Sequence, residues 1–149
     1  MRVYLDLCCL KRPFDLQDQP VIRLQTEAVL SILALSPTRV DLVRSPAHLL
    51  ENSLNPVAAR RDAVSLWLSN GPITRPDESA LSARIQSLVA AGFRSFDAFH
   101  LASAEVSESG VFVTVDLRLL KLAGRLSGSL STRVTDPVRL LEEIVQWSH

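Results

Sequence analysis

Short apolar segments alternate with longer segments of helical periodicity along the whole chain, which limits the folds that it can adopt. The apolar segments have the length and composition of buried strands, and they are Val3–Leu5, Val40–Val43, Val111–Val115 and Thr132–Thr135. Strands that alternate with helices favour a parallel sheet covered by helices on both faces. We therefore predict an α/β fold with three layers, α/β/α, around a parallel sheet of about four to five strands. We expect residues 1–149 to form one domain.

Residues that cap or end helices divide the segments between the predicted strands. Ser45, Asn55 and Ser95 can each accept a hydrogen bond from a backbone amide, so they are predicted to begin three helices. Gly92 is predicted to end the helix that precedes Ser95. The segment Lys11–Gln19 has neither a helical nor a strand pattern, and we predict an irregular loop there.

Four acidic residues lie far apart in the sequence, each where the predicted fold would direct it toward one edge of the sheet. Asp6 and Asp116 directly follow predicted strands, and open α/β sheets bind ligands at the carboxyl ends of their strands. Glu51 and Asp97 lie on predicted helices. Taken singly, such an acid is more often a helix cap or a solvated residue, but grouped carboxylates repel each other and require a cation. The combination favours a site for Mg²⁺ or Mn²⁺, which prefer oxygen ligands.

The segments around these acids resemble those of the PIN-domain ribonucleases, including the toxins of VapC-type toxin–antitoxin pairs. The most specific match is Asp97–Ala104, which fits the pattern Asp-Ala-x-His-x-Ala-x-Ala at every fixed position. Asp6 matches the family's first acid, Glu51 follows Ser45 as the second acid does, and Thr114–Asp116 matches a Thr-x-Asp pattern. The resemblance covers nearly the whole chain and implies a PIN-like fold.

The resemblance also implies a function, which is the metal-dependent hydrolysis of RNA by an endoribonuclease. The expected catalytic and metal-binding residues are Asp6, Glu51, Asp97 and Asp116, with Mg²⁺ or Mn²⁺ as the cofactor. The expected substrate contacts are Thr114, Lys11, Arg12, Arg118 and His100. His100 has an alternative interpretation as a buried, hydrogen-bonded histidine, and Arg118 one as part of a solvated face. If the chain is a toxin, the resemblance implies a small antitoxin partner and a homodimer.

Two positions depart from the family pattern and leave a second function open. Cys8 occupies a position where Asn, Ser or Thr is common, and Arg118 one where a further acid or Asn is common. The alternative is therefore a non-catalytic PIN-like module that binds RNA or protein and has a weakened metal site. A phosphoacceptor receiver domain fits less well, because it requires paired acids after the first strand. The glycines form no phosphate-binding loop pattern either.

Bulk properties limit the partners and the location of the protein. Sixteen basic residues balance sixteen acidic ones, so net charge alone does not indicate a nucleic-acid partner. The longest uncharged apolar run, from Ala28 to about Thr38, is shorter than the roughly 20 residues that a membrane helix needs. The first strand begins within two residues of Met1, which leaves no room for a signal peptide, and Cys8 and Cys9 are adjacent. We expect a cytoplasmic protein without a membrane segment.

Overall fold

A computed structural model of the chain describes residues 1–147. Its central sheet has four strands in the order β2-β1-β3-β4, and all neighbouring strands are parallel. The strands are β1 (Arg2–Leu5), β2 (Asp41–Leu42), β3 (Val111–Val113) and β4 (Arg133–Thr135). In the register of the two central strands, Tyr4 lies beside Phe112. The prediction of a parallel sheet of about four to five strands is confirmed, with four strands observed in the described residues.

Eight α-helices surround this sheet in the part of the chain that the structure describes. They are α1 (Leu7–Lys11), α2 (Pro20–Ala34), α3 (Pro46–Ser53), α4 (Ala58–Ser69), α5 (Glu78–Ala90), α6 (Ser95–Val106), α7 (Leu117–Arg125) and α8 (Pro137–Trp147). Short 3-10 turns follow α1 at Arg12–Phe14 and α7 at Ser127–Ser129. Within residues 1–147, no helix is both long enough and apolar enough to cross a lipid bilayer.

The alternation of side chains along the strands creates two separate cores. Val3, Leu5 and Val113 point to one face and pack with apolar residues of α1, α2, α4 and α8. Tyr4 and Phe112 point to the other face and pack with residues of α5, α6 and α7. Both faces of the sheet are thus covered, as parallel sheets require, and the three-layer arrangement predicted from the sequence is confirmed.

The helix starts agree only in part with the sequence predictions. Ser45 caps α3 as predicted, and its hydroxyl accepts a hydrogen bond from the backbone of His48 at 3.3 Å. The prediction for Ser95 is wrong, because α6 begins at Ser95 and Arg94 is the N-cap residue without a side-chain hydrogen bond. The prediction for Asn55 is also wrong, because the helix that it was expected to cap begins at Ala58 and has Val57 as its N-cap residue.

The segment Lys11–Gln19 is more ordered than the predicted loop. The carboxylate of Asp15 forms ion pairs with Arg12 at 3.0 Å and with Arg60 at 3.2 Å. The amide of Gln17 donates to the carbonyl oxygens of Arg12 and Asp15. The pair with Arg60 attaches the segment to α4, and these two residues are too distant in sequence to produce a local pattern.

Gly92 provides a test of the connection between α5 and α6, because its φ of 115° is a conformation that other residues rarely adopt. A Cβ atom at this position would meet Leu122 at 3.8 Å, an ordinary contact, so any cost of Gly92→Ala arises from the backbone. We expect a loss of about 1–3 kcal/mol in the free energy of unfolding, measured by denaturant titration.

The matched control is Gly124→Ala. Gly124 lies inside α7 and a Cβ atom there meets nothing within 4 Å, so alanine should stabilise the helix by up to about 1 kcal/mol. Equal effects of the two substitutions would contradict the strain assigned to Gly92.

Candidate functional site

The four acids predicted from the sequence surround one cavity of about 390 Å³ beside the carboxyl ends of β1 and β3. The residues that line it are Asp6, Cys8, Lys11, Glu51, Arg94, Ser95, Phe96, Asp97 and Asp116. The acids come from four different parts of the chain, and the parallel sheet brings them to the same edge. The structure therefore places the predicted acids in one region of the molecule.

Asp6 is held by hydrogen bonds to both of its carboxylate oxygens. Oδ1 accepts from the backbone N–H of Leu7 at 2.9 Å, which makes Asp6 the N-cap of α1. Oδ2 accepts from the hydroxyl of Thr114 at 2.8 Å and from the thiol of Cys8 at 3.3 Å. The side chain is almost fully buried, so its direction toward the cavity is fixed by these contacts.

Asp116 is the N-cap of α7 in the same way. Its Oδ1 accepts from the backbone N–H groups of Arg118 at 2.9 Å and Leu119 at 3.3 Å. The backbone N–H of Asp116 donates to the hydroxyl of Thr114 at 3.1 Å. Thr114 therefore joins Asp6 and Asp116 from a fully buried position, and it supports the acids instead of facing the cavity.

Glu51 reaches the cavity from α3 and contacts His100 on α6. The Oε1 atom of Glu51 lies 3.0 Å from His100 Nε2, and the ring is only 1% exposed. Potential metal-binding atoms of Asp6, Glu51 and His100 lie within 4.8 Å of one another. Because Nδ1 of His100 also contacts the hydroxyl of Tyr4 at 2.6 Å, both ring nitrogens already have partners. His100 thus has the buried position given by its alternative interpretation.

Asp97 lies in the first turn of α6 and has a strongly perturbed carboxyl group. Burial, followed by the nearby charges of Asp6 and Asp116, raises the pKa of Asp97 from 3.8 to about 6. His100 opposes this shift only weakly. The cavity therefore has an excess of negative charge. A set of carboxylate oxygens with such an excess fits a hard divalent cation.

The basic residues predicted to contact substrate occupy different places. Lys11 lines the cavity. Arg12 does not belong to the lining residues, because its guanidinium pairs with Asp15 at 3.0 Å. Arg118 lines a second cavity of about 590 Å³ together with Lys121 and Arg125. Lys11 thus lies at the cavity and Arg12 does not, and the substrate contacts stay predictions.

Arg94 is a cavity residue that the sequence analysis missed. Its exposed side chain lines the acidic cavity beside Asp97. The residue precedes the segment Asp97–Ala104 by three positions, so a search for basic residues around the most specific motif would have found it. Together with Lys11, it provides positive charge at the rim of a negative cavity.

The excess negative charge leads to a prediction for Asp97→Asn in metal-free protein. Because the pKa of Asp97 is about 6 in the folded chain and its ordinary value is 3.8, the folded state favours the protonated carboxyl. The contribution of the protonated Asp97 carboxyl to the free energy of unfolding is present below about pH 4 and is lost as the pH rises through about 6. Allowing for solvent screening, we expect Asp97→Asn to stabilise the protein at pH 8 by on the order of 1–2 kcal/mol.

Thermal melts in EDTA at pH 4 and pH 8 measure this difference. Asp62→Asn is the matched control, because the side chain of Asp62 is 76% exposed and lies outside the lining residues of the cavity. It should melt like the wild type at both pH values. An Asp97→Asn protein that melts no higher than wild type at pH 8 would contradict the repulsion between the acids.

Comparisons with known proteins agree with this geometry at the level of the fold. No protein-family model matches the chain, and no curated protein matches its sequence. A chain in the structure of VapBC-1 from nontypeable Haemophilus influenzae is similar, with a TM-score of 0.58, 13% identity, and coverage of 92% of this chain and 98% of that one. PAE2754 from Pyrobaculum aerophilum has a TM-score of 0.53 and 19% identity, with coverage of 98% and 99%. The chain therefore shares the fold of these two proteins, and its three-layer α/β/α arrangement is consistent with the PIN-like fold that the sequence resemblance implied.

Proposed function

We propose that this protein is a metal-dependent endoribonuclease that hydrolyses phosphodiester bonds in RNA. The observation that carries the proposal is the convergence of Asp6, Glu51, Asp97 and Asp116 on one cavity from four separate parts of the fold. The raised pKa of Asp97 supports it, because a folded protein holds such carboxylates together at a cost unless a cation compensates them. The fold shared with a chain of VapBC-1 supports it independently.

Mg²⁺ or Mn²⁺ is the proposed cofactor, and the four acids would hold it. When bound, such an ion lowers the pKa of a coordinated water and neutralises charge on a scissile phosphate. Both carboxylate oxygens of Asp6 are held in place, because Leu7 donates to Oδ1 and Thr114 donates to Oδ2. The pKa of Asp97 is about 6, so a cation in the cavity would favour the ionised form of this carboxyl group.

RNA is the proposed substrate because positive side chains accompany the acids. Lys11 and Arg94 line the same cavity, where they can neutralise phosphates on either side of the cleaved bond. Arg118, Lys121 and Arg125 line the second cavity on α7, directly after Asp116 in the chain. They would extend the contact along an RNA backbone. His100 and Thr114 support the acids in this proposal.

The proposed biological setting is that of a VapC-like toxin. The fold similarity to VapBC-1 supports a small antitoxin as partner, and we also propose a homodimer of single-domain chains. Cys8 and Cys9 are free thiols, which fits a reducing cytoplasm.

A non-catalytic PIN-like binding module is the second candidate, and Cys8 favours it. Its thiol lies 3.3 Å from Oδ2 of Asp6, where the family pattern has a hydroxyl or amide. A thiol is a weaker hydrogen-bond donor than a hydroxyl, so it orients the carboxylate less strongly. RNA binding without metal-dependent cleavage would support this function.

Cleavage of total RNA by the purified protein is the direct test. We expect cleavage with Mg²⁺ or Mn²⁺, none with EDTA, and a loss of at least about 100-fold in the rate for Asp97→Asn, because the site then has one negative ligand fewer. Gel analysis of the products measures the rate. The control Asp62→Asn removes a charge of the same sign from the surface and should cleave like wild type. Cleavage that persists in EDTA would contradict the proposal.

Arg94→Ala tests the proposed contact between Arg94 and RNA. If Arg94 neutralises one phosphate, the substitution should weaken RNA binding for all sequences and lower the slope of log affinity against log salt by about one. Fluorescence anisotropy with labelled RNA in EDTA measures both quantities. Arg139→Ala is the matched control, because Arg139 is 78% exposed on α8 and pairs with Asp136. An unchanged salt slope for Arg94→Ala would contradict the contact.

A further inference from the structure

A buried chain of hydrogen bonds leads from the start of α3 to the carboxylate of Glu51. The hydroxyl oxygens of Ser45 and Tyr4 lie 2.7 Å apart. The Tyr4 hydroxyl lies 2.6 Å from Nδ1 of His100, and Nε2 of His100 lies 3.0 Å from Oε1 of Glu51. Ser45, Tyr4 and His100 are at most 1% exposed, whereas Glu51 reaches the cavity. The series of hydrogen bonds thus runs through buried groups and ends at Glu51, a residue of the cavity.

The hydrogen-bonding chemistry of these groups determines which ring nitrogen of His100 carries a proton. An ionised carboxylate can only accept a hydrogen bond, so Nε2 of His100 carries a proton and donates it to Glu51. Nδ1 is then held by the hydroxyl of Tyr4. Burial raises the pKa of the Tyr4 hydroxyl well above its ordinary value, so this group keeps its proton. The orientation of the His100 ring therefore depends on Tyr4.

His48 holds Ser45, the residue at the other end of this series of hydrogen bonds. A carbonyl can only accept, so Nε2–H of His48 donates to the backbone oxygen of Leu5 at 2.7 Å. Its Nδ1 accepts from the backbone N–H of Ser45 at 3.2 Å. Burial lowers the pKa of His48 to about 3, which keeps the ring neutral in this arrangement. The His48 ring also stacks on Tyr4, with centroids 4.5 Å apart.

This series of hydrogen bonds connects β1, α3 and α6. Asp6 directly follows β1, whereas α3 and α6 contain Glu51 and Asp97. Tyr4 lies in β1, two residues before Asp6. Ser45 caps α3, which carries Glu51. His100 lies in α6, three residues after Asp97. A shift of any of these elements would break at least one buried hydrogen bond.

We propose that His100, oriented by Tyr4, is a positioning residue that holds the Glu51 carboxylate at the cavity for a divalent cation. This inference rests on the proposed function. The contact occupies Oε1 of Glu51 and leaves Oε2 for a cation. Without it, repulsion from Asp6 and Asp97 would direct the flexible Glu51 side chain toward water. Partners of this kind orient metal-binding carboxylates.

Isothermal titration calorimetry with Mn²⁺ and purified protein tests the inference. It measures the Mn²⁺ affinity of the wild type and of three substituted proteins. His100→Leu removes the donor, and we expect the Mn²⁺ affinity to fall by roughly 10–100-fold. His100→Gln keeps an N–H donor at the end of a side chain of similar length, and it should recover part of the affinity. Tyr4→Phe removes only a hydroxyl, so the loss should be smaller than for His100→Leu.

Leu101→Ala is the matched control for general destabilisation. Leu101 adjoins His100 on α6 and is fully buried, but its side chain has no polar group. It should lower the melting temperature at least as much as His100→Leu and leave the Mn²⁺ affinity unchanged. Equal Mn²⁺ affinity for His100→Leu and wild type would overturn the inference, and so would equal losses in His100→Leu and Leu101→Ala.

Nitrogen NMR of the metal-free protein gives a second measurement that does not depend on the cation. We expect the spectrum to place a proton on Nε2 of His100, and an unprotonated Nε2 would overturn the inference. A wild type that binds no Mn²⁺ and cleaves no RNA would overturn the proposed function together with the inference. A wild type that binds Mn²⁺ and cleaves RNA, with His100→Leu unchanged in Mn²⁺ affinity, would overturn the inference alone.

Discussion

The carboxylates around the cavity repel one another, and the surrounding structure has to hold them together against that repulsion. Two carboxylates about 4 Å apart cost roughly 4 kcal/mol at an effective dielectric near 20. That is a large part of the usual stability of a domain, about 5–15 kcal/mol. The effect is visible at Asp97, whose pKa rises to about 6 because of burial and of the charges of Asp6 and Asp116. A divalent cation would remove much of this cost, which supports the proposed Mg²⁺ or Mn²⁺ cofactor.

The fold opposes the repulsion with groups that fix the acids individually. Asp6 and Asp116 are N-caps as well as cavity residues, so the backbone amides of α1 and α7 donate to them. Thr114 joins these two acids from a fully buried position. From sequence alone a helix cap and a functional acid are alternative interpretations of such an acid, but one carboxylate with two oxygens can serve both roles.

The fold was largely predictable because its signals are local or periodic. Apolar segments of strand length, separated by helical patterns, were sufficient to predict a parallel sheet with helices on both faces. Ser45 was predicted correctly as a cap because a single side chain satisfies a neighbouring amide. The prediction of a loop over Lys11–Gln19 holds for residues 15–19, but it missed the 3-10 turn at Arg12–Phe14 and the ion pair between Asp15 and Arg60 on a different helix.

The sequence by itself determined which residue types occur at the ends of the strands, their order, and thus the resemblance around Asp97. Only the tertiary structure decided what each side chain contacts. It brought Arg94 to the cavity, paired Asp15 with Arg60 on α4, and buried His100 between Tyr4 and Glu51. The physical reason is range: helix and strand patterns repeat within a few residues, whereas these contacts join side chains up to 96 positions apart and exist only when both cores are packed.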